Sequence, residues 1–178
     1  MMNEKLDKRF LTLGVIVLLA ALSRILTQGL IPNVAPIGAL ALFSGAYFMD
    51  RKLAFLIPMA AMLISDIFLG FHPTILFVYA GFALTVMMGF LLRSNNNAGK
   101  TMMVTILSSL VFFFLTNFGV WAMYDFYPNN ISGLVSSYVA GLPFLRNSLL
   151  GDLFYTGLFF GAFEWMKRMV PSFNVSLK

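Results

Sequence analysis

Four side chains in a very apolar sequence have the types to do chemistry: Arg24, Asp66, Asn117 and Asp152. Each falls within an apolar run, and a charge in such a run costs about 2.5–3.5 kcal/mol on membrane-insertion scales, so it needs a reason to be there. Depth follows from helical rise, at ~1.5 Å per residue from the nearest basic flank. Measured from Arg9, Lys52, Lys100 and Lys167, the four stand at ~22, ~21, ~25 and ~22 Å. A cation, two carboxylates and an amide on four different segments therefore share one layer. Two carboxylates can form an acid–base pair. An amide beside aromatics can hold a small ligand. Alternatively, Arg24, Asp66 and Asp152 can simply compensate one another and hold helices in register.

Helical phase adds neighbours to the layer. Asn117, Trp121 and Tyr124 stand at i, i+4 and i+7 on one face, and Ser148, Asp152 and Tyr155 repeat that spacing. Met59, Met62 and Asp66 share a face, and Arg24 and Gln28 are one turn apart. Arg146 and Asp152 are six residues apart and point in different directions, so any partner of Arg146 lies on another element. Together these residues describe an outward-opening pocket lined by aromatics and fixed by a few polar groups. His72, the single histidine, lies at a segment end in Gly70-Phe71-His72-Pro73. It reads as a capping or boundary residue, or as one axial contact to a metal carried by a ligand. With no cysteine and one histidine, a protein-only structural metal site is excluded, and no motif calls for a cofactor.

The elements that must position these groups are apolar helices. Of the 178 residues, 60% are hydrophobic and only 11% charged, more apolar surface than a soluble domain of this length can hide. The charges divide the chain into six stretches, 10–28, 35–49, 53–71, 74–92, 101–124 and 147–166, which predict six transmembrane helices in a single domain, 1–178. Most approach the ~20 residues that cross a ~30 Å hydrocarbon core. The second is short and opens with Pro36, so its outer end is irregular or set deep in the protein. The connection from Asp125 to Arg146 contains Pro128, Gly133, Gly141 and Pro143, which predicts an irregular outer segment whose middle, 131–142, is interfacial or re-entrant.

Ten of the twelve Lys and Arg residues fall on one side of this arrangement, leaving Arg24 and Arg146 on the other. The positive-inside rule then places both termini in the cytoplasm and the protein in the bacterial inner membrane as a multi-pass chain. The formal charge of +5 is a topology signal of this kind and does not indicate nucleic acid. The charged head and apolar run at the start lack an A-x-A cleavage site and read as the first span. Ser94 to Thr101 approaches a phosphate-binding loop, but Ser94 replaces its first glycine and a membrane span replaces the β-strand that should precede it. Gly157-x-x-x-Gly161 and Ala41-x-x-x-Gly45 permit close helix approach, read here as packing within the bundle. No catalytic motif is present, and the chain is read as a non-enzyme.

Four stretches carry a resemblance: Pro36 to Gly45, Pro58 to His72, Thr116 to Trp121 and Pro143 to Asp152. Together they resemble an uncharacterised family of small bacterial membrane proteins. That family is similar to the substrate-binding S-components of energy-coupling-factor (ECF) transporters, and to the BtuM-type cobalamin transporters in particular. The resemblance implies a six-helix S-component-like bundle with a micronutrient site near the outer face. It implies a ligand such as cobalamin or another ring-bearing vitamin, with or without an ATP-driven energising module. The cysteine with which those cobalamin transporters approach cobalt has no counterpart here, nor has an A-x-x-x-A contact on the first span. On this reading His72, Tyr79, Asn117, Trp121, Tyr124, Arg146 and Asn147 bind the ligand, with Arg24, Asp66 and Asp152 as the structural layer beneath. An intramembrane enzyme using Asp66 and Asp152, or a non-transporting accessory subunit, are the alternatives.

Overall fold

A computed structural model describes residues 18–26, 34–94 and 97–169, and their regular structure is entirely helical. In chain order the helices are α1 (18–26), α2 (Ile37–Tyr47), α3 (Arg51–Leu69), α4 (Ile75–Gly89, continued by a 3-10 turn at Phe90–Leu92), α5 (Ala98–Met123) and α6 (Ile131–Met169). Of these, α3, α4 with its 3-10 turn, and α5 are long and apolar enough to cross a membrane. Their bounds fall within a few residues of the predicted stretches. The first predicted span is described only over 18–26, its remainder lying outside the described residues.

Local chemistry sets the helix ends. Asp50 caps α3 by accepting from the Lys52 N–H (2.7 Å), and Asn97 caps α5 by accepting from the Lys100 N–H (2.9 Å). α3 stops at Gly70, whose φ of 91° an L side chain rarely adopts, and the Gly70 N–H donates to the Asp66 carbonyl. The chain leaves Asp66 within one turn of a helix end, at the end of the bundle where His72 also lies.

α2 is the centre of the molecule. At 11 residues it is ~16 Å long, about half a hydrocarbon core, so the predicted 35–49 span is a short embedded helix. It touches α3, α4, α5 and α6, and most of its residues are buried. Gly45 and Gly89 bring α2 and α4 backbone to backbone: a Cβ on either would run into main-chain atoms of the other helix. This is the close approach expected of the Ala41–Gly45 pair. Gly157 and Gly161, by contrast, have open space at their Cβ positions, so that motif does not pack within the described bundle.

Two devices satisfy backbone groups that an apolar surrounding would otherwise strand. Pro58 lacks the N–H that would bond the Ala54 carbonyl, and the Ser44 hydroxyl of α2 donates to that carbonyl at 2.8 Å. At the same C-terminal end of α2, the Arg93 guanidinium donates to the Gly45 carbonyl (2.8 Å) and the Phe48 carbonyl (2.6 Å). Arg93 thereby closes the carbonyl end of α2 and lies over the Phe90 ring.

The segment after α5 departs from expectation. The predicted irregular connection over 125–146 shrinks to 124–130, and α6 runs unbroken for 39 residues, ~58 Å. The Asn130 side chain accepts from the Gly133 N–H (2.8 Å) and starts the helix. Gly133, Ser137 and Gly141 then form a narrow stripe at i, i+4 and i+8. Each is buried against its neighbours: Gly133 on the Pro128 carbonyl, Ser137 donating to the Asn117 carbonyl (2.9 Å), Gly141 on the Asn117 amide. Residues that read as turn formers are thus small because α6 lies close on α5 and on the connection that precedes it. Pro143 costs this helix one donor without ending it.

Candidate functional site

A cavity of about 570 Å³ opens between the helices at the end of the bundle that carries the α3–α4 and α5–α6 connections. Val34 and Ala35 precede α2 at its edge, His72 stands on the α3–α4 connection, and Phe126 and Tyr127 come from the short α5–α6 connection. Deeper, Phe82 and Thr85 of α4 and Ser108, Ser109 and Phe112 of α5 form the wall, facing Phe144, Ser148 and Asp152 of α6. The space exists because α2 is short: its first turn, at Ile37 and Gly38, lines the cavity instead of filling it.

The two carboxylates of the predicted layer have different surroundings. Asp66 is wholly buried and does not line the cavity. Its Oδ1 accepts from Arg24 Nη1 at 2.5 Å and its Oδ2 from the Tyr79 hydroxyl at 2.9 Å. The same Arg24 nitrogen donates to the Ser65 hydroxyl, which in turn donates to the Met62 carbonyl (2.8 Å). Asp66 is therefore held by a cation and a phenol, each from a different helix, and the network ties α1, α3 and α4 together.

Asp152 lines the cavity. Its Oδ2 accepts from the Ser109 hydroxyl at 2.7 Å, and among the described residues no cation lies within ion-pair distance. Its carboxylate rests against the Cα of Gly38, where a Cβ would occupy the same space. Ser109 also donates to the Thr105 carbonyl, so its hydroxyl divides between its own helix and the carboxylate. The expected mutual compensation of Arg24, Asp66 and Asp152 thus resolves into a closed pair and a second carboxylate outside it.

The remaining predicted site residues separate in the same way. Asn117 lines the cavity; its Nδ2 donates to the Phe113 carbonyl (2.9 Å), and its side-chain oxygen packs against Gly141. His72 lines it too, with Nδ1 at 2.8 Å from the Thr74 hydroxyl at the start of α4, so it joins a boundary role to a place at the rim. Tyr79 belongs to the Asp66 network. Trp121 donates from Nε1 to the Pro128 carbonyl (3.0 Å) and pins the α5–α6 connection, while Tyr124 stacks on Phe126 at 4.8 Å. Arg146 is exposed on α6, and neither it nor Asn147 lines the cavity.

Ser108, Ser109, Thr85 and Thr116 escaped the sequence reading. Hydroxyls in an apolar helix usually bond the carbonyl one turn back, as Thr85, Thr105 and Thr116 do here, so their presence is ambiguous. The available signal was the adjacent pair Ser108-Ser109, a little over two turns before Asn117 on the same apolar run. Among the described residues no group of three or more His, Cys, Asp or Glu side chains could hold a metal ion.

The fold and the cavity define an all-helical protein of membrane character with a mainly apolar pocket, carrying a few polar groups, at one end. The chain belongs to a family of unknown function (DUF6580), whose model matches residues 4–173. No curated protein and no solved structure matches it.

Proposed function

We propose that this protein is an S-component-like uptake protein of the inner membrane, which captures a small micronutrient in its cavity and moves it into the cytoplasm. The single observation that carries the reading is the 570 Å³ cavity itself, apolar in its larger part and lined also by a few hydroxyls, an amide, an imidazole, a guanidinium and a carboxylate. Pockets of 300–1,000 Å³ with that mixture hold organic ligands of drug size. Basic residues collect at the opposite end, at Arg51, Lys52, Arg93, Lys100, Lys167 and Arg168, which directs the cavity outward under the positive-inside rule. The volume suits a vitamin of one or two rings better than a corrinoid, and the absence of cysteine agrees with that preference. An energising module would dock at the basic end.

The acid–base reading finds less support, because Asp66 lies outside the cavity that Asp152 lines. A purely structural accessory subunit would have no use for the cavity. The test is native mass spectrometry of gently purified protein, with wild type beside Asn117→Leu and Ala140→Trp. Wild type should carry a bound small molecule. Ala140→Trp, which puts an indole on a cavity-lining position, should carry none, and Asn117→Leu should lose at least tenfold in occupancy per inserted protein. An empty wild type, or equal occupancy in all three, would refute the reading.

A further inference from the structure

Among the described residues, the cavity lining includes one cation, Arg24, and one carboxylate, Asp152, and the two are not paired with each other. Arg24 and Asp66 form an ion pair at 2.5 Å, so the pair contributes no net charge. Asp152 remains, and among the described residues the cavity lining contains no further Lys, Arg, Asp or Glu. Arg146, the basic residue nearest to it in sequence, is exposed on α6 and does not line the cavity. An ionised carboxylate in an apolar surrounding is costly unless paired, and within a membrane such a group calls for a named partner.

The position of Asp152 is built. Gly38 leaves the space in which the carboxylate sits, and Ser109 gives it one hydrogen bond. A carboxylate has about four lone-pair sites, and one hydroxyl fills one of them. Phe112 and Phe144 line the same cavity, and aromatic faces attract a desolvated cation. Carboxylate, hydroxyl and ring faces together form the chemistry that recognises an ammonium or other cationic nitrogen.

We infer that the ligand of this cavity carries a positively charged nitrogen, which forms an ion pair with Asp152. This rests on the cavity being a ligand site, as proposed above, and names the class of molecule that enters it. A cationic ligand neutralises the site on binding, so the loaded protein has a balanced membrane interior. A neutral or anionic ligand would leave the carboxylate uncompensated or repel it.

The test uses detergent-purified full-length protein and probes matched in shape but not in charge: tryptamine and 2-phenylethylamine, the alcohols tryptophol and 2-phenylethanol, and the acid indole-3-propionate. Thermal shift and equilibrium dialysis are read for wild type, Asp152→Asn and Asp152→Glu. The amines should bind wild type at least tenfold more tightly than the matched alcohols, and the acid should not bind. Asp152→Asn should remove the preference for amines while keeping the alcohol affinities, which reports that the cavity is intact; Asp152→Glu should retain part of it. Alcohol binding equal to amine binding, or an amine preference unchanged in Asp152→Asn, overturns the inference while leaving the cavity as a ligand site. Binding by none of the five, together with an empty wild type in native mass spectrometry, overturns both the inference and the function proposed for the cavity.

Discussion

Asp66 and Asp152 are the same side chain at the same estimated depth, and the bundle treats them in opposite ways. Asp66 is sealed between α1, α3 and α4, with a cation on one oxygen and a phenol on the other. Asp152 has a single hydroxyl, a glycine cut away to make room for it, and a cavity in front. The difference shows how a membrane-type bundle separates holding from binding. A charge that fastens helices must be satisfied within the protein, since any cost left over falls on stability. A charge that binds must be left short of partners, and that shortfall is what a ligand fills.

The largest expected effect breaks the closed side. Arg24→Leu leaves Asp66 buried without its cation, and removal of one partner of such a pair costs about 3–5 kcal/mol. Thermal unfolding in detergent should show this loss, and Arg24→Leu combined with Asp66→Leu should recover a good part of it. If the double variant is as unstable as the sum of the two singles, the pair is not a coupled unit.

Tyr79→Phe removes one hydrogen bond from a buried charged acceptor, worth about 1.5–3 kcal/mol. Ser109→Ala performs the same deletion on the cavity side, where Asp152 is partly accessible, and should cost at most about 1 kcal/mol. Comparable losses for the two variants would erase the contrast between the carboxylates.

Gly38→Ala tests how Asp152 is placed. The added methyl enters the space of the carboxylate, a side-chain neighbour that can swing away, so stability should fall by about 1–2 kcal/mol. Gly45→Ala, whose methyl would meet the Val86 carbonyl and the Gly89 Cα, should cost more, because main chain cannot rotate aside. Denaturation of both variants checks the order, and a reversal would mean that α2 and α4 are free to separate.

The smallest effect on folding is predicted for Asp152→Asn, within about 1 kcal/mol of wild type and on the stabilising side if anything, since it removes an uncompensated charge while keeping shape. Asp66→Asn should lose far more. Equal destabilisation would place Asp152 in a closed network after all.

By itself the sequence determined that the chain is helical and of membrane character, because apolar content and the spacing of charges depend on composition alone. It located α3, α4 and α5 to within a few residues, since each is a near-continuous apolar run between polar caps. It also picked out Arg24, Asp66, Asn117 and Asp152, because any polar group in such a run must have a partner or a purpose. Which partner each takes was settled only by the tertiary structure. Periodicity reports the face of a helix and not what stands opposite, so Tyr79 read as a ligand contact when it holds Asp66, and Trp121 as a stacking platform when it pins Pro128. The glycines of α6 looked like turns because close packing and tight turning both ask for the smallest side chain, and only the position of α5 distinguishes them. A pocket was expected from the sequence, but its walls were out of reach for the same reason: the cavity is the space left by a central helix of ~16 Å among longer neighbours, a property of the assembly and of no single segment.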